Sequence, residues 1–202
     1  ILPTYNEKDN IALMIEALQQ QFGRIPHDMH ILVVDDSSPD GTADIVRAAA
    51  ASWKNLHLIT GAKQGLGAAY IRGMKHALGQ LKADAVMEMD ADFSHNPADL
   101  IKMYDACTTQ SADLVIGSRY IRGVNVVNWP MGRVLMSYYA SAYVRFVTRM
   151  KVRDTTAGFV CYTRKVLEAI NLDRIRFIGY AFQIEMKYTA WKLGFKIYEE
   201  PI

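Results

Sequence analysis

Cysteine is scarce in this sequence. Cys107 and Cys161 are the only two in 202 residues, and neither belongs to a Cys-x-x-Cys or stands near paired histidines. That excludes a disulfide framework and a structural zinc site of the usual spacing, and it suits a reducing compartment. An excess of charge of one sign is also missing. Lys and Arg number 23 against 21 Asp and Glu, which leaves +2. This is too little for the basic surface that wholesale nucleic-acid binding requires, so any anionic ligand must be met locally. No stretch reaches the roughly 18 uncharged apolar residues of a membrane span, and no internal repeat or low-complexity segment is visible. Half of the residues are apolar and 22% are charged, a balance that buries a core rather than leaving the chain disordered. The length suits one domain.

What is present is alternation. Ile11, Met14, Ile15, Leu18 and Phe22 fall at helical spacing, and the apolar run 30–34 then reads as a buried strand ending in the turn-rich Asp35 to Gly41. Thr42 is expected to cap a helix running to about residue 52. Strand 56–59, the tight loop Gly65-Leu66-Gly67, helix 68–78, strand 85–89, the helix start Asn96-Pro97 and strand 114–116 follow. Farther on, helical spacing returns over 131–150, and a strand at 158–162, helices from 164 and over 182–193, and a strand at 196–199 finish the chain. Strands alternating with helices imply a mostly parallel sheet covered on both faces, with sites at the carboxyl ends of strands. Ile1-Leu2-Pro3 reads as the tail of a strand and Pro201-Ile202 follows another. The expectation is therefore a core trimmed at both ends, and a signal peptide or terminal transmembrane helix could lie outside the sequence.

Polar residues gather at those strand ends. Asp90-Ala91-Asp92 places two carboxylates where they can share a hard divalent cation, as a diphosphate ligand requires. The alternative is a pair of helix-start acids, but strand 85–89 leads straight into them and favours the metal. Asp35-Asp36 suits either recognition of a base or ribose or a plain turn in which Asp and Ser satisfy backbone amides, and taken alone the turn is the commoner case. Gly65-Leu66-Gly67 lacks the third glycine of a dinucleotide fingerprint, since Tyr70 stands there. Arg119, Arg122 and Arg133 are suited to phosphate oxygens, although solvated arginines are the usual finding. His95 is either a cation ligand or a hydrogen-bonded helix-start residue. The uncharged, Tyr- and Met-rich run between Arg133 and Arg145 fits an interfacial helix or a core helix equally.

Taken in order, several blocks resemble the dolichol-phosphate (polyprenyl-phosphate) mannosyltransferase group of the inverting GT-A-type glycosyltransferases, in glycosyltransferase family 2. They are Pro3-Thr4-Tyr5-Asn6-Glu7, Val33 to Thr42, Gly65 to Tyr70, Met89 to His95, Gly117-Ser118-Arg119-Tyr120 and Gly179 to Met186. The resemblance spans essentially the whole chain. It implies an α/β fold of GT-A type, a mostly parallel central sheet with helices on both faces, forming a single catalytic domain over 1–202. It also implies transfer of mannose from GDP-mannose to a polyprenyl phosphate with inversion, at the cytoplasmic face of a membrane. Attachment there is expected to be peripheral, or through a segment outside this chain or an anchoring subunit.

By the same resemblance, Pro3, Tyr5, Glu7, Val34 and Asp36 hold the nucleoside, and Asp90, Ala91 and Asp92 hold the diphosphate through Mg²⁺ or Mn²⁺. Asp90 and Asp92 are the metal ligands, Arg119 faces the phosphates, and Arg133 meets the lipid phosphate. Relatives with Gln at the position of Ser94 use it as a further ligand, and serine is a poorer one. Relatives also continue past Pro201-Ile202 into a segment that closes over the donor phosphates. The readings set against this one are a UDP-sugar-dependent lipid or polysaccharide glycosyltransferase, a catalytically inactive nucleotide-binding module, and a receiver-like signalling domain built around Asp35-Asp36.

Overall fold

A computed structural model describes residues 1–121 and 131–202; Arg122 lies outside the described residues. The elements are β1 (Leu2–Thr4), α1 (Ile11–Phe22), β2 (Ile31–Asp35), α2 (Thr42–Ala50), β3 (Leu56–Thr60), α3 (Leu66–Gly79), β4 (Ala85–Glu88) and α4 (Asp99–Thr109). They continue with β5 (Leu114–Ser118), α5 (Met131–Thr148), β6 (Val160–Thr163), α6 (Arg164–Ala169), α7 (Ala181–Lys192) and β7 (Ile197–Pro201). Arg133 sits in the first turn of α5, and its side chain lies outside the described residues.

Two sheets, β1-β2-β3 and β4-β6-β5-β7, meet at Ile1. Its nitrogen donates to the Met87 carbonyl (2.6 Å) and its carbonyl accepts from Met89 N–H (3.2 Å), which places β1 beside β4. Neighbouring strands are parallel except at β6, which runs antiparallel to both β4 and β5. The sheet is thus mostly parallel, as expected, with one reversed strand that the hydrophobic pattern does not reveal.

Side chains alternate faces along each strand. Leu32 and Val34 of β2, Leu114 and Ile116 of β5, and Val160 and Tyr162 of β6 pack under α3, α6 and α7. Their neighbours Ile31, Val33, Val115 and Cys161 pack under α1, α2 and α4. Because both faces are covered, the strands read as continuous apolar runs. Gly65 has φ +108°, and a Cβ there would stand 2.8 Å from the Ile178 carbonyl; Gly67 N–H donates to that same oxygen at 2.8 Å. The two glycines let α3 begin against the chain leading into α7, two residues earlier than the sequence pattern suggests.

Candidate active site

In the order β3-β2-β1-β4, the chain builds outward from β1 to β3 and then crosses to the other side of β1 to form β4. That reversal opens a crevice at the carboxyl ends of β1 and β4, the usual ligand position in such sheets. Tyr5 and Glu7 follow β1, Asp36 follows β2, Asp90 and Asp92 follow β4, and Arg119 follows β5. Because β6 is reversed, with Val160 paired to Glu88, the turn 154–158 that precedes it arrives at the same end.

Asp90 is anchored rather than free. Its Oδ1 accepts the Tyr70 hydroxyl (3.1 Å), its backbone N–H donates to His95 Nδ1 (3.4 Å), and a Cβ on Gly158 would stand 3.4 Å from its Oδ2. Burial, the largest influence, holds the His95 imidazole below its ordinary pKa, in keeping with a neutral ring that accepts a hydrogen bond. His95 thus has one ring nitrogen engaged within the turn. At Asp92, burial works to raise the carboxyl, but the hydrogen bonds from the Ser94 hydroxyl and amide lead the influences that outweigh it, so the group titrates below the usual carboxylate value. The Ser94 N–H lies 2.9 Å from Asp92 Oδ1. Ser94 thus orients Asp92, and the chain reaches that contact by reversing at Phe93, whose φ of +59° is uncommon for an aromatic residue.

These donors fit a small divalent cation. Both carboxylates are hard oxygen ligands, and the Asp90 side chain is 36% exposed. Among the described residues no group of three or more His, Cys, Asp and Glu converges on one point. A cation held by Asp90 and Asp92 would complete its shell with water and diphosphate oxygens, as Mg²⁺ and Mn²⁺ do at phosphate sites.

At the nucleoside end the two adjacent aspartates divide their work. Asp35 is buried and turned inward, accepting from the Thr4 hydroxyl (2.9 Å) and from the Ser38 amide and hydroxyl (2.9 and 2.6 Å). That arrangement leaves it unsuited to the exposed phosphoacceptor role of a receiver domain. Asp36 instead pairs with Arg72 of α3 at 2.5 Å. Pro3 and Val34 are partners in the β1–β2 register. Glu7 N–H donates to the Thr42 hydroxyl (3.0 Å), which in turn donates to Asp40 (2.6 Å), so Thr42 ties the two loops together as the first residue of α2. The Lys63 ammonium lies 3.3 Å from the centre of the Tyr5 ring.

Arg119 is committed to a partner that the sequence did not point to. Its Nε and one terminal nitrogen fork onto Asp154, each at 2.7 Å, and its backbone N–H also donates to Asp154 (3.1 Å). Asp154 is fully buried. Burial acts to lower the Arg119 pKa, but the Asp154 hydrogen bonds and charge more than compensate, and the group is raised. The expected phosphate-facing role must therefore coexist with a structural fork that fixes the 154–158 turn beside Asp90. Thr155 and Thr156 of that turn meet Ser141 (3.2 Å) and Ser137 (3.1 Å) of α5. Helix α5 consequently turns serines inward and aromatics outward: Met136, Tyr139, Tyr143 and Phe146 form one stripe, 65–84% exposed. The core-helix alternative for this segment does not hold.

A cavity of about 660 Å³, lined from the starts of β2 and β4 and from α4, contains none of the candidate site residues. Sequence reasoning missed Asp154, Thr156, Gly158 and the buried Glu88 and Lys187. Gln183 lay inside a quoted block without an assigned role.

Residues 1–170 match the family model described as Glycosyl transferase family 2. The whole chain aligns at 42% identity with 75% of the polyprenol monophosphomannose synthase of Mycolicibacterium smegmatis. It aligns at 41% identity with 81% of the undecaprenyl-phosphate mannosyltransferase of Micrococcus luteus. Among solved structures, the mannosyl-3-phosphoglycerate synthase of Rubrobacter xylanophilus superposes with a TM-score of 0.71 at 19% identity, over 98% of this chain and 63% of that one. A mannosyltransferase of Pyrobaculum calidifontis, solved in complex with GDP-Man and Mn²⁺, gives 0.63 at 21% identity, over 99% and 53%. At these identities the structural likeness establishes the shared GT-A fold.

Proposed function

The chain belongs to glycosyl transferase family 2, and from that premise we propose that this glycosyltransferase moves mannose from GDP-mannose to a polyprenyl phosphate, with a divalent cation at Asp90 and Asp92. The observation that carries the reading is the crevice between β1 and β4, where a carboxylate pair, with no third protein ligand among the described residues, faces the turns that follow β1 and β2. The two relatives aligned along the whole chain are named for mannosyl transfer to polyprenyl carriers, and one structural neighbour was solved with GDP-Man and Mn²⁺.

In this reading Pro3, Tyr5, Glu7 and Asp36 receive the nucleoside, and Val34, whose side chain is buried under α3, contributes only its backbone at the end of β2. Tyr5 supplies an aromatic face and Asp36 an acceptor for base or ribose donors. Asp90 and Asp92 line the diphosphate, with Ala91 between them turning its methyl into the core, and the Mg²⁺ or Mn²⁺ that the two carboxylates would hold offsets charge developing on the leaving nucleotide. The acceptor is already an anionic phosphate and needs little general-base help. Its difficulty is approach to two carboxylates, and the positive charges of Arg119 and Arg133 ease it. Helix α5 adds the lipid side. Among the described residues no helix is long and apolar enough to cross a membrane, but an outward aromatic stripe fits the headgroup boundary where a polyprenyl chain is anchored.

Calorimetric titration with GDP and with UDP, each with and without Mn²⁺, tests the assignment. Metal-dependent binding of GDP in preference to UDP is expected. UDP preference moves the donor to a neighbouring nucleotide sugar, a class that the UDP complex of a Mycobacterium tuberculosis glucosyl-3-phosphoglycerate synthase represents on the same fold. Binding of neither nucleotide overturns the reading.

A further inference from the structure

Helix α7 reaches the metal motif from beneath through a fully internal polar chain. The Lys187 ammonium donates to the Ala157 carbonyl (2.7 Å) and to the backbone and side-chain oxygens of Gln183 (both 3.2 Å). The Gln183 amide then donates to Glu88 Oε2 (2.8 Å). Lys187 and Glu88 are 0% exposed and Gln183 is 3% exposed.

Both ends of this chain lie next to Asp90. Glu88 is the last residue of β4, two positions before Asp90, and Ala157 immediately precedes Gly158, which packs against the Asp90 carboxylate. One residue earlier on α7, Phe182 stacks on Tyr70, whose hydroxyl holds Asp90 Oδ1. Helix α7 therefore fixes Asp90 by two routes.

An ammonium has three N–H donors, and all three of those on Lys187 are engaged by protein oxygens. It is not available to a substrate. Burial pushes its pKa down to about 8 despite the raising influence of Glu88, the direction expected of a cation taken out of water. A buried charged cluster taken as a whole is often no more stabilising than well-packed apolar side chains of the same volume, although removing one member alone is costly. What the ammonium provides and an apolar chain cannot is a fixed distance between the Ala157 carbonyl and the Gln183–Glu88 pair.

We propose that Lys187, acting through Gln183, is a positioning residue that sets the spacing between the 154–158 turn and the end of β4, and thereby the placement of Asp90 for its cation. The inference rests on the metal-dependent reading above. Lys187→Met keeps the length of the side chain and removes its donors. The measurements are Mn²⁺ affinity by calorimetry in saturating GDP, GDP affinity without metal, and the melting temperature.

The expected result is Mn²⁺ binding weakened by about tenfold or more, the range found when a group supporting a metal ligand is lost, with GDP binding in the absence of metal within about twofold and a lowered melting temperature, because Glu88 and the Ala157 carbonyl lose their partner. Mn²⁺ affinity within about twofold of wild type in a folded variant overturns the proposal. Gln183→Met, which cuts the chain at its middle, gives the same test should Lys187→Met not fold. If neither variant folds, the network is a folding element and the positioning role falls. A wild-type chain that shows no metal-dependent GDP binding overturns the functional reading itself, and this inference with it.

Discussion

The Tyr70 hydroxyl donates to Oδ1 of Asp90 at 3.1 Å, from a ring that lies nearly parallel to Phe182 at 7° with centroids 5.8 Å apart. Burial, followed by the Asp90 charge, raises the phenol pKa well above its ordinary value, so the hydroxyl keeps its proton and remains a donor. The stacking sets the ring and the ring sets the carboxylate. Tyr70→Phe keeps the stacking and removes the donor. Its expected effect is a loss of Mn²⁺ affinity of roughly tenfold and a stability loss of about 1 kcal/mol, read by calorimetry and by urea denaturation.

Arg119, which holds the scaffold as well as facing the site, and Asp92 should differ in what their loss does to stability. Arg119→Ala leaves the buried Asp154 carboxylate without its fork, and breaking a buried pair costs about 3–5 kcal/mol, so the denaturation midpoint falls sharply. Asp92→Ala removes an exposed carboxylate whose partners within the turn are local. It is expected to abolish metal-dependent transfer while leaving the midpoint almost unchanged. Normal turnover by folded Asp92→Ala would sink the metal assignment.

Those two residues also mark how far the sequence carries. The carboxylate pair at the end of β4 was legible because Asp90 and Asp92 are two positions apart and a buried strand leads into them. The fork was not, because Arg119 and Asp154 are 35 positions apart and nothing local to either names the other. The same holds for Asp36 with Arg72 and for Gln183 with Glu88, contacts made by helices returning over the sheet. Strand existence was legible from apolar runs. The reversal of β6 was not, because direction leaves no trace in a hydrophobic pattern, yet it is that reversal that brings Gly158 to Asp90. Asp35 and Asp36 look alike in sequence and face opposite ways because successive residues at a strand end alternate sides.

Stability should weaken on mild acidification through a histidine pair far from the crevice. His30 Nδ1 lies 2.9 Å from His57 Nε2 with the rings stacked, and one of these nitrogens must be unprotonated for a hydrogen bond to form. Burial, then the His30 and His76 charges, lowers the His57 pKa from its ordinary 6.5. A group whose folded pKa is depressed binds fewer protons in the native than in the unfolded state, so its contribution is present above about pH 6.5 and declines as pH falls through that value. His57→Gln is expected to flatten the slope of melting temperature against pH between about 7 and 5.5. An unchanged slope would show that the pair does not contribute.

The inverted polarity of α5 carries the last prediction. Ser137 and Ser141 are satisfied by Thr156 and Thr155 inside the protein, so the helix does not need its aromatic side for docking, and Tyr139, Tyr143 and Phe146 stand in solvent. Burying a large apolar side chain is worth about 1.5–3 kcal/mol, so three of them entering a headgroup layer together can hold a protein reversibly at a lipid surface. In flotation with phosphatidylcholine vesicles, the wild-type chain is expected to rise with the lipid, and Tyr139→Ser with Phe146→Ser to remain at the bottom. Because the inward serine contacts are untouched, the double variant should keep the wild-type melting temperature and GDP affinity. Flotation of the variant equal to that of wild type would remove α5 from the lipid-binding surface and leave the acceptor to reach Asp90 by another face.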